Sequence, residues 1–169
     1  ADYRQGGRYK PAFAGDDLLL GDDETILRMD PQTMRVTRTY TSRAATGRQM
    51  IADDSRGFAV LRDGDGVHFF RVDTGEFVRT LPEIGTIFDM TGGRFASFSQ
   101  GEGTVYSTRR LGPERAFSVG VRVDRMAVGG GVFAVAGPPL ADDYDRAETA
   151  RIEVYETGSY RLLYSVAVQ

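Results

Sequence analysis

The sequence repeats itself at an interval close to forty residues. Phe58-Ala59-Val60 returns as Phe95-Ala96-Ser97 and again as Phe133-Ala134-Val135, at intervals of 37 and 38 residues, each preceded by a glycine-containing turn. Leu18, in "DDLLLGDD", stands forty residues before Phe58. Within one period, residues 57–81 read "GFAVLRDGDGVHFFRVDTGEFVRTL". An apolar strand, a turn of residues that tolerate positive φ, a strand of β-formers, an Asp-Thr-Gly turn and an exit strand follow one another there. "GRQMIAD" just upstream adds a fourth short strand, closed by the turn residues Asp53, Asp54 and Ser55. A unit this small cannot bury both faces of its own sheet, so repeated units must pack on one another. The spacing predicts an all-β chain of four repeated four-stranded antiparallel meanders. It predicts one domain over 1–169, with units at approximately 8–45, 46–83, 84–122 and 123–169. A β-sandwich is the alternative, because it too produces short strands at regular spacing.

The third strand of each unit ends in a turn and re-enters a strand, in "TILRMDPQTMRVTRTY", "VHFFRVDTGEFVRTL", "TVYSTRRLGPERAFSV" and "RIEVYETGSYRLLYSV". "RVDTGEFVRTL" and "RMDPQTMRVTRTY" resemble blades of the WD40 and YVTN, or quinoprotein-like, β-propeller superfamily. In those blades an aspartate closes the third strand and a β-branched strand leaves the turn. The Gly-His pair and the tryptophan of WD40 repeats are absent from this sequence. The resemblance implies a β-propeller-like architecture, and rings of that type close with more blades than four. A small closed or nearly closed ring is the expected arrangement; the alternatives are an arc completed by another chain and two chains sharing one ring. An open arc would leave apolar sheet faces at its ends, and such faces mark protein contacts.

Composition narrows the chemistry. The chain has 169 residues, enough for one well-cored domain. No apolar run approaches the ~20 residues of a membrane-spanning helix. A net charge of -3, with carboxylates interleaved among the arginines, offers no basic stripe for nucleic acid. Cysteine is absent and His68 is the only histidine, which removes thiol nucleophiles and multi-histidine metal sites. No cofactor is expected. The sequence opens at Ala1; a removed leader would favour an extracytoplasmic location.

The candidate contact residues lie in one long loop and one turn. From Phe58 to Asp73 is 15 residues, whereas from Phe133 to Glu156 is 23, so the last unit carries an insertion of eight residues by this alignment. It falls in "GPPLADDYDRAETA", residues 137–150, where Asp142, Asp143 and Asp145 flank Tyr144. Insertions in repeat folds emerge on one face, often the binding face, and a tyrosine is suited to anchor an interface. Asp63 and Asp65 in "DGDG", like the loop aspartates, lack the longer ligand pattern of a calcium loop and read as solvated turns. Arg109 and Arg110, with Arg115 close by, surround a turn that also holds Glu114 and are suited to grip a carboxylate or to pair on the surface. His68 beside Phe69 and Phe70 reads as a structural histidine satisfied by a hydrogen bond.

No nucleophile-base pair, metal cluster or phosphate loop accompanies this scaffold. The expected function is that of a non-enzymatic protein-interaction or structural subunit, with other protein subunits, or a second copy, as partners. The alternative is a ligand- or sugar-binding propeller with carboxylate chemistry at its axis.

Overall fold

A computed structural model describes residues 10–21, 25–41, 49–53, 58–62, 66–82, 84–90, 92–140 and 150–168. These residues form sixteen strands and no helix. The first sheet is β1 (Lys10–Ala14), β2 (Asp17–Gly21), β3 (Thr25–Asp30) and β4 (Arg35–Thr41). The second is β5 (Gln49–Asp53), β6 (Phe58–Arg62), β7 (Val67–Arg71) and β8 (Phe77–Leu81). The third is β9 (Ile87–Asp89), β10 (Arg94–Ser99), β11 (Glu102–Ser107) and β12 (Gly112–Ser118). The fourth is β13 (Arg125–Gly129), β14 (Val132–Gly137), β15 (Ala150–Glu156) and β16 (Leu162–Val168). Each sheet is an antiparallel meander whose strands pair in chain order, so its connections are short and its register is set by its own turns.

The pairing register fixes which residues of the four sheets correspond. Each third strand has a β-bulge against its fourth strand, at Arg28/Met29, Phe69/Phe70, Val105/Tyr106 and Val154/Tyr155. Met29, Phe70, Tyr106 and Tyr155 are therefore equivalent, and their second-strand partners are Leu18, Ala59, Phe95 and Phe133. The tripeptide spacing places Phe58 at this position; the register places Ala59 there and pairs Phe58 with Arg71 instead. A one-residue slip moves a side chain to the opposite face, so the two alignments are different claims. The turn between third and fourth strands confirms the register. The residue five positions after each of these equivalent sites has positive φ in every sheet: Met34 at 53°, Gly75 at 74°, Leu111 at 51° and Tyr160 at 60°. From the second-strand anchor to the end of the third strand is 12 residues in the first three sheets and 23 in the fourth. The insertion is thus eleven residues rather than the eight expected, because counting from Phe58 to Asp73 starts one residue before the shared anchor, Ala59, and ends two residues beyond the third strand, which closes at Arg71.

Three buried clusters seal three sheet-to-sheet interfaces. Between the first and second sheets lie Leu19, Ile26, Tyr40, Met50, Phe70 and Val72, and the Tyr40 hydroxyl donates to the Val72 carbonyl across the gap. Val60, Val67, Phe69, Leu81, Ile87 and Phe95 fill the space between the second and third. Between the third and fourth are Ala96, Val105, Val121, Phe133, Val135 and Tyr155. Rings cross the last two interfaces: Phe69 meets Phe95 at 5.8 Å between centroids, and Phe117 meets Phe133 at 5.5 Å. Such offset and edge-on contacts add to the burial itself, which is the main favourable term. Among the described residues no buried cluster joins the fourth sheet to the first. The expected closed ring is not formed by these four sheets; they make an open arc.

Candidate protein-interaction surfaces

Because opposed residues of an antiparallel pair share a face, the register also defines what the two ends of the arc present. The first sheet turns Ala12, Ala14, Leu19, Ile26 and Tyr40 to the second. Its other face carries the four-strand row Phe13, Leu18, Met29 and Val36, and beside it Pro11, Leu20, Leu27 and Thr39. Phe13 is 62% exposed and Val36 49%. At the opposite end the fourth sheet turns Phe133, Val135 and Tyr155 to the third. Its outer face carries the rows Ala127, Ala134, Val154, Tyr164 and Arg125, Ala136, Ile152, Val166. Tyr164 is 59% exposed and Val166 53%. Residues at equivalent register positions inside the arc are wholly buried: Ala96 and Val105, which correspond to Ala134 and Val154, are both at 0%. Met29, in the middle of the first-sheet row, is itself buried at 9%, while the flanking Phe13 and Val36 and the fourth-sheet Tyr164 and Val166 present apolar side chains to solvent, the combination that marks a contact site.

Several carboxylates of the described residues hold turns and sheets together. Glu153 is 3% exposed and accepts from the Gly120 N–H at 2.8 Å and the Tyr155 hydroxyl at 2.6 Å. Gly120 lies in the connection from the third sheet to the fourth, and a Cβ there would run into the Glu153 carboxylate, so glycine is required for this approach. Asp17 accepts from Arg28 Nε at 2.7 Å. Asp30 caps its own turn, accepting from the Gln32 N–H at 2.8 Å and the Thr33 N–H at 3.2 Å, and these bonds hold its carboxyl below the ordinary aspartate range. Among the described residues no group of three histidines, cysteines or carboxylates has the geometry to hold a metal ion.

Burial, followed by the hydrogen bond and charge of Glu153, holds the Tyr155 phenol in its neutral form well above the ordinary tyrosine range. A group whose folded pKa is raised contributes stability that is intact below its unfolded pKa of about 10 and is lost as pH climbs above that value. Urea midpoints measured from pH 8 to pH 11 should therefore fall steeply above about pH 10 in the wild type, and less steeply in Tyr155→Phe. Equal slopes would show that this hydroxyl stays accessible to ionisation in the folded state.

The arginine turn is only partly the cluster expected. Glu114 pairs with Arg94 at 2.8 Å, and Arg115 lies over the Tyr160 ring at 5.2 Å. Arg109 and Arg110 remain exposed in the turn between β11 and β12, with no ion-pair partner among the described residues. Their turn is anchored by the Arg109 N–H, which donates to Ser107 Oγ at 3.1 Å. His68 shares a hydrogen bond with Thr80 through Nδ1 at 2.9 Å, as a structural histidine does. The loop residues Asp142, Asp143, Tyr144 and Asp145, like Asp63 and Asp65, lie outside the described residues. The residues of the open end faces carry no mark of their own in the sequence, since only the register separates them from the residues that line the internal interfaces.

No protein-family model matches the sequence, and no curated protein matches it either. Solved structures do. The Kuenenia stuttgartiensis hydrazine synthase superposes with a TM-score of 0.68 at 13% identity, over 99% of this chain and 53% of that one. U3-55K matches with a TM-score of 0.68 at 10% identity, over 96% and 52%, and the WD40 repeats of RRP9 with 0.67 at 11%, over 96% and 52%. These four sheets are blades of a β-propeller. At such identities the similarity concerns the fold alone. The chain spans about half the length of the structures it matches. In propeller terms β1, β5, β9 and β13 are the first strands of successive blades, and β1 lies beside β5 and β5 beside β9. No helix among the described residues is long and apolar enough to cross a membrane.

Proposed function

We propose that this chain is a non-enzymatic protein-interaction scaffold, a WD40-type propeller arc that docks within a larger protein assembly. The observation that carries the reading is the pair of apolar blade faces that no other described sheet covers, with Phe13 and Val36 exposed at one end and Ala127 and Tyr164 at the other. A face of that composition gains free energy only when another protein surface excludes water from it. Around this apolar contact, polar groups set orientation and encounter rate. Arg109 and Arg110, exposed on a hydrogen-bonded turn without a carboxylate partner among the described residues, are suited to meet acidic groups. Tyr144, with Asp142, Asp143 and Asp145, is the proposed anchor of the inserted loop, and the aspartates would meet basic groups.

The tagged chain, purified with its bound proteins, tests this reading. Tyr164→Glu/Val166→Glu should reduce the bound protein at least ~10-fold, because buried unpaired charge costs several kcal/mol. Arg109→Glu/Arg110→Glu should mainly slow association and weaken its salt dependence. Undiminished recovery with both variants would overturn the proposal.

A further inference from the structure

The turn between β11 and β12 is built unlike its three counterparts. Arg110, one residue before the positive-φ position, stands where the other blades have Thr33, Thr74 and Ser159. Those hydroxyls serve their own turns. The Thr33 hydroxyl donates to Asp30, Thr74 Oγ1 accepts from the Glu76 N–H at 3.1 Å, and Ser159 Oγ accepts from the Arg161 N–H at 3.2 Å. An arginine side chain has no acceptor to offer in that place. The third-blade turn keeps its shape by other bonds: the Thr108 N–H and hydroxyl donate to the Gly93 carbonyl at 2.9 and 3.0 Å, and the Arg109 N–H donates to Ser107 Oγ. Leu111 packs against the cluster between the second and third blades, while Arg109 and Arg110 stay exposed. The fold uses neither side chain.

A third arginine approaches the same turn from the preceding blade. Arg38, Arg79 and Arg115 are equivalent fourth-strand residues, paired with Arg28, Phe69 and Val105, on the face that each blade turns to the next. Arg38 lies over the Tyr40 ring at 6.0 Å and Arg115 over that of Tyr160 at 5.2 Å. Arg79 is exposed and has neither a ring nor a carboxylate partner among the described residues. Its Nη1 lies 3.8 Å from the point where a Cβ on Gly112 would stand, and the Arg110 carbonyl lies 3.7 Å from that point. The nearest described carboxylates along the chain are engaged elsewhere, Glu76 with Arg71 at 3.8 Å and Glu114 with Arg94 at 2.8 Å. Two blades thus bring three guanidinium groups to one junction, and an anion would relieve their mutual repulsion.

From this we infer that Arg79, Arg109 and Arg110 form the docking site for a short acidic segment of a partner protein, at the junction of the second and third blades. The inference rests on the scaffold reading above and names the chemistry of its partner. Guanidinium forks hold carboxylates bidentately, and an extended segment presents alternate side chains on one side. Nucleic acid fits less well, because it draws affinity from a long track of phosphate contacts that three arginines on a chain of net charge -3 do not supply.

Fluorescence anisotropy of a labelled hexaglutamate peptide, titrated with the full chain, tests this. The expected result is saturable binding at low salt that weakens as salt rises. Arg79→Ala and Arg109→Ala/Arg110→Ala should each weaken it at least ~10-fold, the loss expected for charge-assisted hydrogen bonds. Arg125→Ala removes one charge from an exposed position on β13 and should leave affinity unchanged. All four side chains are exposed, so the circular dichroism spectra should match that of the wild type. Absence of binding, an equal loss in Arg125→Ala, full affinity in Arg79→Ala, or tighter binding of a thymidine oligonucleotide of matching charge would overturn the assignment. Recovery of bound proteins with the tagged chain separates the two readings. If Arg79→Ala keeps them all while Tyr164→Glu/Val166→Glu loses them, only this inference fails; if none of the variants loses any, the scaffold reading fails with it.

Discussion

Truncation of Phe95 to alanine should destabilise the chain by about 3–5 kcal/mol, a large part of the ~5–15 kcal/mol that holds a domain of ordinary stability. Phe95 is fully buried, stacks on Tyr106 at 5.1 Å between centroids, and meets Phe69 of the preceding blade at 5.8 Å. Its removal deletes transfer free energy and leaves a cavity between two sheets. Neither sheet can collapse into that cavity without breaking its own ladder. The loss also falls on an interface, and in a repeat fold the interfaces supply the coupling between units. Urea denaturation of the wild type and variant measures the difference, and cooperativity gives a second readout: a weakened junction should broaden the transition as the two sides begin to melt apart. A loss below about 1 kcal/mol, the size of an ordinary surface substitution, would contradict the assigned register.

The same residue shows what was legible in the sequence. Phe95 and Phe133 align by sequence as they do by register, because both lie beside an alanine in strands of equal length, after similar glycine turns. The match extended to Phe58 fails by one position. The second blade has Ala59 at the shared site and keeps only the third-strand ring, Phe70, where the third and fourth blades have a ring on both strands. A repeated tripeptide can thus lie one position out of register, so identical letters are a poor guide to register. Turn geometry is the better one, and it was hidden, since Met34, Leu111 and Tyr160 adopt a positive φ that their residue types do not announce. Closure was illegible for a different reason. The residues of the uncovered rows, such as Ala134 and Val154, have the same composition as those of the covered rows, such as Ala96 and Val105. Only pairing distinguishes them.

Glu153 offers the other large expected effect, and it tests a feature with no signature in the repeat. Its carboxylate is the acceptor for both the Gly120 N–H and the Tyr155 hydroxyl at the junction of the third and fourth blades. Replacing it by alanine strands two buried donors, at roughly 1–3 kcal/mol each, so Glu153→Ala should cost about 2–6 kcal/mol in chemical denaturation. The loss is asymmetric in a way that identifies its cause. Removing the hydroxyl as well, in Glu153→Ala/Tyr155→Phe, should recover part of it, because one of the stranded donors is then gone. A simple packing defect predicts the reverse, with the two substitutions adding. The buried charge is itself costly to hold and is tolerated here because two donors meet it; the isosteric Glu153→Gln, which keeps an acceptor oxygen but adds an amide donor, should therefore fall between wild type and alanine. Additive losses in the double variant would assign Glu153 to shape alone and leave the path of the chain from the third blade to the fourth determined by the close approach of Gly120.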